Sequence, residues 1–163
     1  MLPIKKILSP TDFSDPSLAG VRAAGELAEK FDAKILLVHA VAPIPSPTFA
    51  AAPQPTSFDV PVYRRALEEE AMERLKKLRE EEIPEDLDVK PFVTHGNPGR
   101  RIVKLAEEED ADLIVISGHG ESGIQRLIFG SVAEKVVREA ACPVLSIRTR
   151  KGSSEGAKEV PNE

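Results

Sequence analysis

The sequence predicts an α/β fold, a single-domain open parallel sheet of five strands with helices on both faces. Short apolar runs alternate with longer amphipathic stretches from one end of the chain to the other. The runs are continuous rather than alternating, as in strands covered on both faces. Two of the amphipathic stretches open with a capping residue followed directly by proline, which marks helix starts between the strands.

Ile4 to Leu8 reads as the first strand, ending at Ser9-Pro10-Thr11-Asp12. Asp15-Pro16 supplies an N-cap and a first-turn proline, and Leu18, Val21, Ala24, Ala28 and Phe31 then share one helical face. Ile35 to Val41 is short enough for a second buried strand. Residues 42–61 hold six prolines (Pro43, Pro45, Pro47, Pro53, Pro55 and Pro61) and read as a mobile surface loop without regular structure. Leu67, Ala71, Leu75 and Leu78 form the apolar stripe of a long helix, whose charges from Glu68 to Glu82 face water. Leu87 to Thr94 is a third strand, and Pro91 suits an edge better than a centre. Asn97-Pro98 repeats the cap-plus-proline start for a helix carrying Ile102, Leu105 and Ala106. Leu113 to Ile116 is the fourth strand and Val144 to Ile147 the fifth. Residues 1–149 form the domain, and 150–163, Gly- and Glu-rich without periodicity, read as a disordered tail.

At 163 residues the chain can bury a core without staples, and 41% hydrophobic with 30% charged residues is ordinary for a globular protein. A net charge of −5 argues against nucleic acid or an acidic membrane as partner. No apolar stretch approaches the roughly 18 residues needed to span a bilayer, and the first nine residues are too broken for a signal peptide. Cys142 stands alone and forms no internal disulfide, which points to a reducing cytoplasm.

The chemistry-bearing segment is Ser117-Gly118-His119-Gly120, directly after the fourth apolar run, followed nine residues later by Gly130-Ser131. Glycines at a strand end let backbone amides approach a ligand that a side chain blocks. Gly130-Ser131 opens the helical pattern Val132-Ala133-Glu134-Lys135-Val136-Val137, and the free amides of a helix start favour phosphate. In parallel sheets ligands sit beyond the carboxyl ends of the strands where strand order switches, so Thr11-Asp12 and Ser117 to Gly120 are expected to converge. Gly118 to Gly123 also spells GxGxxG, but that fingerprint belongs in a first strand–helix turn. Here a single strand follows, ending Ile147-Arg148 with no acidic terminus, so an NAD or FAD site is rejected.

From Lys5-Lys6-Ile7-Leu8-Ser9-Pro10-Thr11-Asp12-Phe13-Ser14, through Leu36-Leu37-Val38-His39, to Gly130-Ser131-Val132-Ala133-Glu134-Lys135-Val136 and Cys142-Pro143-Val144-Leu145, the chain resembles the universal stress protein family. The resemblance implies strand order 3-2-1-4-5 in an adenine-nucleotide α-hydrolase-like fold, often dimeric through the fifth strands. ATP-binding members carry Gly, two residues, Gly, nine residues, then Gly-Ser or Gly-Thr. By position the resemblance puts Gly120, Gly130 and Ser131 on the phosphates and Asp12 beside the adenosine, flanked by Pro10 and Thr11. Ala40 falls where the adenine packs, and Ile116, His119, Val132 and Ala133 at other lining positions. Two departures stand out. Ser117 replaces the first motif glycine, with Gly118 following at once, and Glu121 replaces a basic residue.

The implied cofactor is ATP, with Mg or Mn held only through its phosphates. The histidines His39, His95 and His119 lack zinc-like spacing with cysteine or carboxylates, so no side-chain metal site is assigned. His39 reads as a packed structural ring, Cys142 as an inert buried thiol, and Arg100, Arg101 and Arg126 as solvated cations. The expected protein is an adenine-nucleotide-responsive module, homodimeric through the fifth strand with Val144, Leu145 and Ile147 at the contact. The alternatives are an ATP-independent dimeric scaffold or chaperone, and a slow ATPase or autophosphorylating protein. Catalysis is the weaker alternative, because Ser131 has no evident base.

Overall fold

The computed structural model describes residues 3–43, 60–118 and 130–148. The elements run β1 (Lys6–Pro10), α1 (Asp15–Phe31), β2 (Lys34–Val41), α2 (Val60–Glu82), β3 (Val89–His95), α3 (Pro98–Glu108), β4 (Leu113–Ser117), α4 (Ser131–Glu139) and β5 (Val144–Ile147). The five strands form one sheet in the order β3-β2-β1-β4-β5, and every neighbouring pair is parallel. Chain order therefore runs outward through β2 and β3, returns to the middle, and leaves on the other side through β4 and β5. The switch lies between β1 and β4.

Alternate residues of each strand feed two separate apolar layers. Ile7, Ile35, Leu37, Leu113 and Val115 pack with Val21, Ala24 and Ala28 of α1 and with Leu75 and Leu78 of α2. Leu8, Leu36, Val38, Ile114 and Ile116 pack with Ile102, Leu105 and Ala106 of α3 and with Ala133 and Val136 of α4. Burial on both faces is why the central strands β2 and β4 read as unbroken apolar runs.

Several expected boundaries shift. The first strand is Lys6–Pro10 rather than Ile4 to Leu8. The backbone amides of Lys5 and Lys6 donate to Asp112 Oδ2, at 2.8 and 2.9 Å, instead of pairing with a strand. Ser9 and Pro10, which look like turn residues, are buried in the sheet. The cap of α1 is Ser14, not Asp15: its hydroxyl accepts from the Ser17 amide at 3.4 Å, and Asp15 is already helical. Pro61 falls in the first turn of α2, where a missing N–H costs nothing, so the proline-rich stretch stops at 59; its residues 44–59 lie outside those described. The tail, 150–163, lies outside them as well. The third strand is Val89–His95, and it is an edge strand, as Pro91 suggests.

Candidate functional site

The carboxyl ends of β1, β2 and β4 open onto a cavity of about 330 Å³ on the α3–α4 side of the sheet. Pairing of β1 with β2 runs on to Pro10↔Val38, whereas pairing with β4 is registered at Ile7↔Leu113 and Leu8↔Ile114. Pro10 has no N–H to extend a ladder, and a crevice opens at the switch point. Its floor comes from Pro10, Val38, Ala40 and Ile116, strand residues on one face of the sheet, and from Gly118 just past the end of β4. Thr11, Asp12 and Ser17 form one wall, Pro98 and Ile102 another, and Gly130, Ser131, Val132 and Ala133 the third.

Of the residues singled out from the sequence, Pro10, Thr11, Asp12, Ala40, Ile116, Ser117, Gly118, Gly130, Ser131, Val132 and Ala133 all line this cavity. His119 and Gly120 lie outside the described residues, as do Glu121 and Arg126. The sequence reading missed Ser17, Val38, Pro98 and Ile102, and assigned His39 to packing alone. Val38 was findable as the residue sharing a strand face with Ala40. Pro98 was findable as the second cap–proline helix start on the same edge of the sheet.

The β1–α1 turn is built on hydroxyls. The Phe13 amide donates to Thr11 Oγ1 at 3.0 Å, Thr11 Oγ1 and Ser17 Oγ lie 2.9 Å apart, and Ser17 Oγ donates to the Ser14 carbonyl at 2.9 Å. With the Ser17 proton directed at that carbonyl, Thr11 is the donor to Ser17, and this buried chain is fully satisfied. Asp12 is exposed, and its Oδ1 accepts from the Ser14 amide at 3.0 Å and from the Ser14 hydroxyl. The carboxylate thus serves a local turn, in a residue that lines the cavity.

His39 Nδ1 lies 2.9 Å from the Thr11 carbonyl, which only accepts, so Nδ1 carries the proton. Burial pushes the ring's pKa below its ordinary 6.5; the hydrogen bond to Thr11 opposes this, and the charge of Arg74 reinforces it. The ring is therefore neutral at pH 7, with Nε2 as an acceptor.

Gly118 ties three elements together. Its amide donates to the Ile147 carbonyl at 2.9 Å, and its carbonyl accepts from the Gly130 amide at 2.7 Å. That second bond delivers the start of α4 to the tip of β4. Gly130 is the helix cap and provides no side chain to accept from the first-turn amides, which are left for water or a ligand. Among the described residues no lysine or arginine lines the cavity, so an anion there depends on backbone N–H groups and the helix dipole.

The other candidates are engaged elsewhere. His95 Nε2 pairs with Glu68 on α2, and the Arg101 guanidinium donates to the Thr94 hydroxyl. Arg100 is exposed. Cys142 is half-buried rather than fully buried, and it lines a second cavity of about 300 Å³ with Asp110 and Asp112. Burial pushes its thiol up, which keeps it unreactive. No cluster of metal-ligating side chains occurs among the described residues.

An open parallel sheet with a crevice at its switch point and a helix start aimed into it defines a doubly wound α/β protein. The sequence profile described as the universal stress protein family matches residues 3–148. The chain belongs to that family. Universal stress protein MJ0531 of Methanocaldococcus jannaschii is 36% identical over 147 residues, spanning 90% of this chain and 84% of its own. The solved structure of protein MJ0577 superposes with a TM-score of 0.70 at 26% identity, covering 93% of this chain and all 100% of that one. A universal stress protein solved in complex with cAMP superposes at 0.59 with 29% identity, covering 91% of this chain and 100% of its own.

Proposed function

We propose that this protein is an ATP-binding, nucleotide-responsive stress or signalling module. The convergence of Asp12, Ala40, Gly118 and the uncapped start of α4 on one cavity carries this reading. A cavity of about 330 Å³ suits a small organic ligand. The base packs between the apolar strand tips near Ala40, the ribose meets Asp12, and the phosphates lie over the first-turn amides of Ser131, Val132 and Ala133, since the Gly130 amide is already bound to the Gly118 carbonyl. A relative solved with cAMP supports an adenine nucleotide as the ligand class. Any Mg or Mn arrives with the phosphates, since the described side chains hold no metal cluster.

Three charge-assisted hydrogen bonds, each about 1.5–3 kcal/mol, set against ordering costs give affinity near −8 kcal/mol, on the order of micromolar. The protein works in the cytoplasm as a homodimer through β5, and ATP occupancy alters the surface that the dimer presents.

Isothermal titration of ATP into the purified chain tests this. Micromolar binding is expected, and Gly130→Asp should abolish it while keeping or raising the thermal midpoint. Gly130 has φ −67 and ψ 153, a conformation aspartate adopts freely, and aspartate is itself a good helix cap. Its carboxylate then occupies the anion site. No heat and no thermal shift at millimolar ATP leave the ATP-independent scaffold as the surviving reading, one to which the capture of Asp12 Oδ1 by Ser14 already lends weight.

A further inference from the structure

Just behind the cavity wall, three side chains are stacked, one each from α2, the β1–α1 turn and β2. The guanidinium carbon of Arg74, on α2, lies 3.9 Å from the centre of the Phe13 ring. The other partner of that ring is His39 of β2, with centroids 4.5 Å apart and planes inclined by 38°. His39 in turn donates from Nδ1 to the Thr11 carbonyl. Phe13 has φ +65, a conformation an aromatic residue takes only when its surroundings hold it there. The hydrogen bond from the Phe13 amide to Thr11 Oγ1 closes the circuit at 3.0 Å. Thr11, Asp12 and His39 line the cavity, whereas Phe13 and Arg74 do not.

The geometry points to Arg74 as a positioning residue: through the Phe13 and His39 rings, we infer that it holds the Thr11-Asp12 turn in the shape the nucleotide requires. A cation over an aromatic face is held by the ring quadrupole, and a planar guanidinium stacks where an ammonium only points. Arg74 thereby clamps Phe13 in its strained conformation from outside, and His39 backs the ring from within. Removing the cation frees the phenyl ring, and with it the peptide between Asp12 and Phe13. The turn then samples conformations in which the Asp12 carboxylate is misplaced. This builds on the adenine-nucleotide reading, although the stack itself can be measured without any ligand.

The test uses the full chain and three variants. Arg74→Met keeps the stem and loses the charge, Arg74→Lys restores a charge without the plane, and Phe13→Gly removes the ring at a φ that glycine takes freely. For Arg74→Met, ATP affinity should fall about two- to fivefold, the factor set by an exposed cation–π contact, with the thermal midpoint lowered by no more than about 4 °C. Arg74→Lys should recover part of the loss, and Phe13→Gly should lose more than either. In nitrogen-15 spectra without nucleotide, the His39 Nδ1 proton should be protected from exchange in the parent and in Arg74→Lys, and exchange faster in the other two. An unchanged His39 proton in Arg74→Met overturns the inference, as does loss of affinity that tracks loss of thermal stability equally in Arg74→Met and Arg74→Lys. Should the parent bind no adenine nucleotide at all, the nucleotide reading falls, and the exchange of the His39 proton alone decides whether the clamp exists.

Discussion

Asp12 and His39 illustrate how much one side chain's environment decides at the residue scale. Asp12 Oδ1 already accepts two hydrogen bonds from Ser14, so this carboxylate has a turn-forming role beside the ligand role proposed for it. Asp12→Asn separates them. An amide oxygen still accepts from Ser14, and the thermal midpoint should hold. The lost charge should weaken ATP binding about tenfold, the difference between a charged and a neutral acceptor, as read by titration calorimetry. His39 governs a pH effect. Its folded ring resists protonation below the ordinary 6.5, while the unfolded chain takes up the proton near that value. The stability it contributes is complete above pH about 6.5 and is lost as the pH falls from there through the lower folded value. Urea midpoints between about pH 7.5 and 5.5 should show this decline. His39→Asn, which keeps a donor for the Thr11 carbonyl and does not titrate, should flatten it.

The elements are set by close approaches that small residues permit. Gly20 of α1 lies against the end of β4: a Cβ built there falls 3.0 Å from the Ser117 amide nitrogen and 3.5 Å from the Ile116 carbonyl carbon. Both neighbours are backbone and cannot swing away. In Gly20→Ala, overpacking of about 1–3 kcal/mol should outweigh the roughly 1 kcal/mol gained in helix preference. The expected result is a lower urea midpoint, with weaker ATP binding because Ser117 and Gly118 are pushed from place. An unchanged midpoint would show that α1 can retreat. The long, charged α2 depends on a narrower stripe, with Ala71, Leu75 and Leu78 buried. The fork of Arg22 on Glu82 ties its carboxyl end to α1 and draws the Glu82 carboxyl below the usual range.

At the scale of the whole molecule, the sheet ends on β5, a short strand whose outer edge pairs with no other strand among the described residues. Leu145 on that strand and Val137 on the adjoining α4 are 40% and 47% exposed, high values for apolar residues flanking an open edge. An apolar edge invites pairing with a second copy, and antiparallel pairing gives a closed twofold dimer. Light scattering at micromolar concentration should return twice the chain mass, and Leu145→Glu should halve it without disturbing ATP binding. A mass of one chain for the parent would remove the dimer from the reading. No described helix is long and apolar enough to cross a membrane.

Apolar patterning in the sequence determined the fold class and its strands, Pro91 the edge position of β3, and cap, proline and glycine residues the helix starts at Asn97-Pro98 and Gly130-Ser131, because these depend on local backbone preferences and on which faces are apolar. Thr11-Asp12, Ser117-Gly118 and Gly130-Ser131 were legible for the same reason, since they sit at strand tips and a helix start, whereas Pro10, Ile116, Val132 and Ala133 were reached only through the resemblance to the universal stress protein family. Tertiary structure alone decided the rest. Ser9 and Pro10 extend β1 because neighbouring strands bury them, against their own turn preference. Asp112 holds the amides of Lys5 and Lys6, residues 107 and 106 positions away. Arg74, an unremarkable cation in a charged helix, is brought onto Phe13, and His39 onto Thr11, by crossovers that return the chain to the same end of the sheet. Contacts between residues so far apart in the chain leave no period or motif behind, since each partner satisfies its own local rules and the fold alone makes them neighbours.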